Sequence, residues 1–212
     1  MARSAAVDTD SVFINCPFTA DYTLIFHSLI FTVLACGFRP RTALEAGDAG
    51  DIRLDKIIRL IRESPFSIHD LSAVELDRVN GLPRFNMPFE LGLVMGCRRV
   101  AGAKFASRPM LIMERTDYTS QKCLSDIAGQ DLKAHEGSTP RVIRTVRTWL
   151  SQESGRQDIP GHLRIQHTFD EFYLQLPALC HEAHLELAEL SYPDFFYLTQ
   201  QWLIELNASS AI

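Results

Sequence analysis

Two carboxylates stand where a polar side chain has chemical leverage. Asp70 closes the apolar run Phe66-Ser67-Ile68-His69-Asp70, and Glu90 lies near the start of Asn86-Met87-Pro88-Phe89-Glu90-Leu91-Gly92. A strand running out into an acid, a polar loop, and a helix opening on a second acid would bring both to the carboxyl edge of an α/β sheet, where such sheets bind ligands. The chemistry suited to paired acids there is nucleophilic or acid–base work on a sugar or nucleotide. Pro88 suits a first helical position, which puts Glu90 near the third. There it would either satisfy a free backbone N–H in a capping box or stay ionised and attack an electrophilic carbon. Asp70 would bind ribose hydroxyls, pass a proton to a departing base, or merely close an Asx turn.

The neighbours supply the rest of a crevice. Asn15, Pro17 and Phe18 follow the first strand and would form the opposite wall, with Phe18 stacking on a base or plugging the core. Asp77, beside Glu75, sits in the loop after Asp70, while Arg84 and Asn86 are placed to orient a sugar or phosphate. His69 alternates with Asp70 and should face the other side of its strand as a hydrogen-bonded structural residue. Cys16 ends the first strand and reads as a small buried side chain.

The elements that must hold these groups alternate. Ser11–Asn15, a strand within Phe38–Leu44, Ser67–Asp70, Met110–Met113 and a short Leu132–Ala134 read as strands. Tyr22–Cys36, a helix with Leu54, Ile57, Ile58 and Ile61 on one face, Leu91–Gly96, Gln121–Ala128 and Pro140–Leu150 read as helices. Strand and helix in turn mean a mostly parallel sheet with helices on both faces. Residues 1–10 form a polar arm, 11–150 the α/β domain, and 151–212 a linker (Ser151–Gly161) with two C-terminal helices. Those helices are rich in Phe, Tyr and Leu and should pack on the core or on a second subunit.

Composition narrows the partners. The 212 residues are 46% hydrophobic with net charge −5 and pI near 5.8, which argues against dedicated binding of nucleic acid or anionic membranes. Tyr22–Cys36 is too short and too interrupted to span a membrane. Five scattered cysteines offer no zinc spacing and fit a reducing, cytoplasmic setting. P-loop, dinucleotide-fingerprint, zincin and nucleophile-elbow motifs are absent from the sequence. No cofactor is expected.

Val12-Phe13-Ile14-Asn15-Cys16-Pro17-Phe18, Ile68-His69-Asp70-Leu71-Ser72 and Asn86-Met87-Pro88-Phe89-Glu90-Leu91-Gly92, in this order, resemble the nucleoside 2-deoxyribosyltransferase-like family, itself related in fold to TIR domains. The resemblance spans roughly residues 11 to 150 and implies a Rossmann-like or flavodoxin-like fold. It implies Glu90 as the nucleophile at the anomeric carbon and Asp70 as the acid near sugar or base. It also implies a small nucleoside, nucleotide or NAD as substrate and a site completed in a homo-oligomer. Arg84 stands where the transferases carry an acid, and Pro83 and Pro88 where they are Gly-rich. The resemblance therefore extends to a relative that cleaves a nucleotide or NAD, or to a non-catalytic module that senses a nucleotide or assembles through a TIR-like surface.

Overall fold

A computed structural model describes residues 9–45, 50–74, 81 and 84–209 of the chain. The strands are β1 (Ser11–Asn15), β2 (Arg39–Thr42), β3 (Phe66–Asp70), β4 (Met110–Glu114) and β5 (Lys133–Ala134). They form one sheet in the order β2-β1-β3-β4-β5, and every pair is parallel. The order reverses between β1 and β3, so the ligand crevice of this topology falls at the carboxyl ends of those two strands.

Parallel strands need crossovers, and eight helices are described: α1 (Thr23–Ala35), α2 (Arg53–Glu63), α3 (Asn86–Val100), α4 (Ala103–Ala106), α5 (Thr119–Cys123), α6 (Thr139–Ser154), α7 (His162–Glu182) and α8 (Tyr192–Ser209). The two-residue period of the strands sorts side chains between the layers. Val12, Ile14, Phe66 and Ile68 pack in one core with α1 and α6. Phe13 packs with Ile57, Leu60, Ile61 and Val94 of α2 and α3 on the other side. Leu71, Met87, Leu91 and Ile112 extend that second side toward the β4 edge.

Helix α1 is buried without interruption from Ile25 to Val33. Such a helix needs cover on its outer side as well, and α7 and α8 supply it: Phe169, Phe172, Phe195, Leu198 and Trp202 join the same core. Ser28 and Thr32 inside α1 donate to the carbonyls of Ile25 and Ser28 at 2.8 and 2.6 Å, which satisfies both hydroxyls. His27 stacks on Phe195 with ring centroids 3.8 Å apart. Tyr192 Oη donates to the Pro40 carbonyl at 2.9 Å and ties α8 to β2.

The stretch expected as a linker is packed into the molecule. Helix α6 continues to Ser154, Ile159 is buried, and Arg147 donates to the carbonyls of Pro160 and Ile159 at 2.7 and 3.0 Å. The C-terminal aromatic set expected to favour self-association is largely spent within the chain: Phe195 is 0% and Trp202 9% exposed, while Tyr197 remains open. The helix expected over Gln121–Ala128 is broken. It runs as α5 and then a 3-10 turn at Ser125–Ile127, because Leu124 leaves helical geometry at φ −131°, ψ 74°. No described helix is long and apolar enough to cross a membrane.

Candidate functional site

At the carboxyl ends of β1 and β3, strand ends and helix starts come together. Asn15 is the last residue of β1 and pairs in register with His69. Its Nδ2 donates to the Met87 carbonyl at 2.8 Å and lies 3.1 Å from His69 Nδ1. The amide expected to meet a substrate is thus engaged in fastening α3 to the sheet. His69 is wholly buried, and burial pushes its pKa down to about 3, so it is neutral. It takes the structural role the alternation predicts.

Glu90 does not occupy the expected position in its helix. Helix α3 begins at Asn86, so Glu90 is its fifth residue and makes no capping bond. Proline is tolerated throughout the first turn, whose N–H groups have no intrahelical acceptor, so Pro88 does not mark the first position. The capping reading therefore lapses. Glu90 is 5% exposed, and burial raises its pKa to about 7 against the smaller opposing effect of Arg53. Arg53, on the first turn of α2, brings Nη2 to 3.9 Å from Glu90 Oε1 and is itself more than half exposed. The ionised form expected from a helix N-terminus gives way to a group poised between both forms at neutral pH, because desolvation outweighs the dipole.

Asp70 lies in a closed polar cage. Its Oδ1 accepts the Ser72 N–H at 2.8 Å, which is the Asx turn. Its Oδ2 is 3.0 Å from His135 Nε2, and the same nitrogen is 2.9 Å from Ser72 Oγ. The Gly137 N–H donates to His135 Nδ1 at 3.0 Å, which assigns the ring proton to Nε2. Ser72 and Asp70 thus meet one nitrogen, whereas a nucleophilic triad needs hydroxyl and acid on opposite nitrogens. Tyr22 Oη is close enough to help hold Asp70 ionised, yet neither Tyr22 Oη nor Asp70 Oδ2 completes a well-aligned hydrogen bond. Although burial opposes it, the nearby His135, the Ser72 N–H and the close Tyr22 hydroxyl together bring the Asp70 pKa below its ordinary value.

The two acids approach the end of β1 from opposite layers. Asp70 shares the strand face of Phe66 and Ile68, toward α1 and α6, whereas Glu90 comes from α3 on the other side. Cys16 lies within reach of both charges, and burial with those charges raises its pKa well above the ordinary thiol value. It is an inert thiol. Asp70 is 0% and Glu90 5% exposed, so both acids are enclosed around the end of β1.

The remaining expected residues divide. Pro17 is buried; Phe18 is half-buried and meets Phe26 edge-on at 5.4 Å, so it packs on the core. Arg84 and Asn86 are exposed beside the start of α3. Asp77 and Glu75 lie outside the described residues. Three residues that matter were not singled out from sequence: Arg53, His135 and Tyr22. A cation on the first turn of a helix opposes the helix dipole, and that mismatch was the available signal for Arg53. His135 follows a short strand, the same strand-end position that marked Asp70.

The described residues hold no group of His, Cys, Asp and Glu arranged for a metal ion. Fold and site together define a Rossmann-like, all-parallel α/β protein with C-terminal helices laid over one face. No protein-family model matches the chain, and no curated protein matches it.

Proposed function

We propose that the chain acts on the N-glycosidic bond of a nucleoside, nucleotide or NAD-like molecule, with Glu90 as the nucleophile. The observation that carries this reading is a buried glutamate with pKa about 7 beside the half-open cation Arg53, at the switch point of a parallel sheet. Perturbed acids gather where chemistry is done, and this one contributes nothing to its helix as a cap.

In the proposed step an ionised Glu90 oxygen bonds to the anomeric carbon as the carbon–nitrogen bond breaks. The bonding pair leaves with the base, and water or a second base then takes the sugar. The transition state carries oxocarbenium character that a carboxylate stabilises. Asp70, held ionised, donates no proton to the leaving base. A pyridinium base as in NAD leaves neutral without one, so the NAD-like member of the substrate class makes the lightest demand on this site. Asp70 and His135 act in this reading by fixing the β3 end. The second reading, a nucleotide-sensing module without turnover, draws on the enclosure of Asp70 and the engaged amide of Asn15.

The test is release of free base from nucleosides, nucleotides and NAD, followed by chromatography. Wild type should release base, Glu90→Gln should not, and the wild-type rate should climb with pH through about 7 as Glu90 ionises. A rate that falls through the same range would make Glu90 a general acid instead. Binding without turnover would leave the sensing module.

A further inference from the structure

The turn from α2 into β3 encloses a small hollow against α3. Phe13, Ile61 and Val94 give it apolar walls, and Ser64 and Cys97 line it with them. Its volume is about 10 Å³, near the lower limit for one water-sized guest. Ser64 is 3% exposed, and its Oγ has no hydrogen-bond partner among the described residues. A buried hydroxyl in that state is unfavourable and calls for a partner.

Arg108 fixes the rim of the hollow. Its Nη1 donates to the carbonyls of Ile61 and Ser64 at 2.7 and 3.0 Å, and its Nη2 to the Arg62 carbonyl at 3.0 Å. The guanidinium carbon lies 4.1 Å from the centroid of the Phe105 ring. These bonds satisfy carbonyls at the end of α2 and hold a cation on the lining, close enough to Cys97 for their charges to interact. Cys97 is half-buried, whereas Cys123 is exposed and Cys16, Cys36 and Cys180 are buried. Cys97 therefore combines partial access to solvent with a lining it shares with a buried hydroxyl and a fixed cation.

We propose that Cys97 is a modification site for hydrogen peroxide, and that the hollow it shares with Ser64 retains the resulting sulfenic oxygen. The Cys97 thiolate attacks one peroxide oxygen, an S–O bond forms and the O–O bond breaks. The bonding pair leaves with the other oxygen as hydroxide, which takes a proton from solvent to become water. Sulfur is oxidised by two electrons and the peroxide reduced by two. The Arg108 charge faces the negative charge that develops on the leaving oxygen. The new S–OH group both donates and accepts, so it supplies the Ser64 hydroxyl with the partner it lacks. A hollow with room for one oxygen and apolar walls holds the sulfur at the sulfenic stage and resists the second oxidation to sulfinic acid.

The test exposes the full, folded chain to hydrogen peroxide, removes the excess with catalase, and unfolds the chain in urea with dimedone and iodoacetamide. Peptide mass spectrometry then reads sulfenic acid and free thiol at each cysteine. Cys97 should carry at least about five times the dimedone label of Cys123, although Cys123 is the more exposed. The preference should vanish when peroxide is added to the chain already unfolded in urea. Ser64→Ala, which removes the hydroxyl, and Val94→Ile, which fills the hollow, should each abolish most of it, with melting curves verifying that both variants fold. Equal or greater labelling of Cys123 overturns the proposal, as does a preference that survives in urea or in both variants. Conversion of Cys97 to sulfinic acid as readily as Cys123 overturns retention by the hollow.

Discussion

Replacing Glu90 by glutamine separates the cost of its charge from the packing of its side chain. Burial lifts its pKa from 4.5 to about 7, a displacement of the protonation equilibrium worth about 3 kcal/mol at about 1.4 kcal/mol per unit. Solvent reaching the half-exposed Arg53 screens the charge, which brings the working figure to about 2–3 kcal/mol. Proton counting gives the sign. Between the unfolded and folded values the folded chain binds more protons, so stability falls as pH rises through that window. Near about pH 4 both states are protonated and the penalty is absent; near about pH 8 it is complete. Glutamine has nearly the same shape and no charge to desolvate. Glu90→Gln should therefore match wild type at the acid end and exceed it by up to about 2–3 kcal/mol at the alkaline end. For a chain of this length that is up to roughly 4–12 °C in Tm. Urea unfolding of both proteins across the range, read as their difference, cancels the other titrating groups. A variant that is less stable than wild type at about pH 8, or a difference that does not change with pH, would refute the reasoning.

Two further outcomes follow from the same physics. Asp70→Asn sets an amide where His135 and Tyr22 present donors and should cost about 2–3 kcal/mol near neutral pH; because the Asp70 pKa is lowered, the loss should shrink as acid protonates the wild-type carboxylate, which urea unfolding at neutral and acid pH will measure. His27, whose pKa burial lowers to about 4, stays neutral when folded while the unfolded chain takes up a proton below about 6.5, so wild-type stability falls as pH drops through that window; His27→Phe keeps a ring against Phe195 and should flatten that acid limb by up to about 3 kcal/mol, checked by thermal melts from about pH 7 to about pH 4.

The frame was legible because its signals are local. Apolar runs at β1, β3 and β4 are short, rich in branched or aromatic residues and bounded by polar loops, and the sheet uses them as read. The α2 stripe was legible as a helix but not in its facing: Ile57, Leu60 and Ile61 are buried while Leu54 and Ile58 remain open, since a short helix over a twisted sheet buries a narrower face than its sequence offers. The site was less legible because its energetics come from distant residues. Asp70 is governed by His135, which reaches it from beyond β5, and Glu90 by Arg53 from another crossover. Neither partner has a sequence spacing that announces the contact. The position of Glu90 within its helix was also obscured, because the chain turns helical before Pro88 and not at it.

The two acids illustrate how environment, and not residue type, assigns a role. Asp70 is the more deeply buried, yet it titrates low because donors surround it. Among the described residues Glu90 has Arg53 as the charge opposing its desolvation, at a distance where attraction is weak, and titrates high. Carboxylates pushed in opposite directions divide labour: one serves as a fixed charge that organises donors, the other as a group able to change its protonation or bonding. The fixed charge belongs to the cage of Tyr22, Ser72 and His135, and its removal should be read mainly as lost stability. The changeable one lies beside a solvent-reaching cation, and its conversion to glutamine should stabilise the fold. An acid whose neutral isostere improves the protein is being kept for something other than folding. That makes the pH-dependent stability of Glu90→Gln a test of function even before a substrate is in hand.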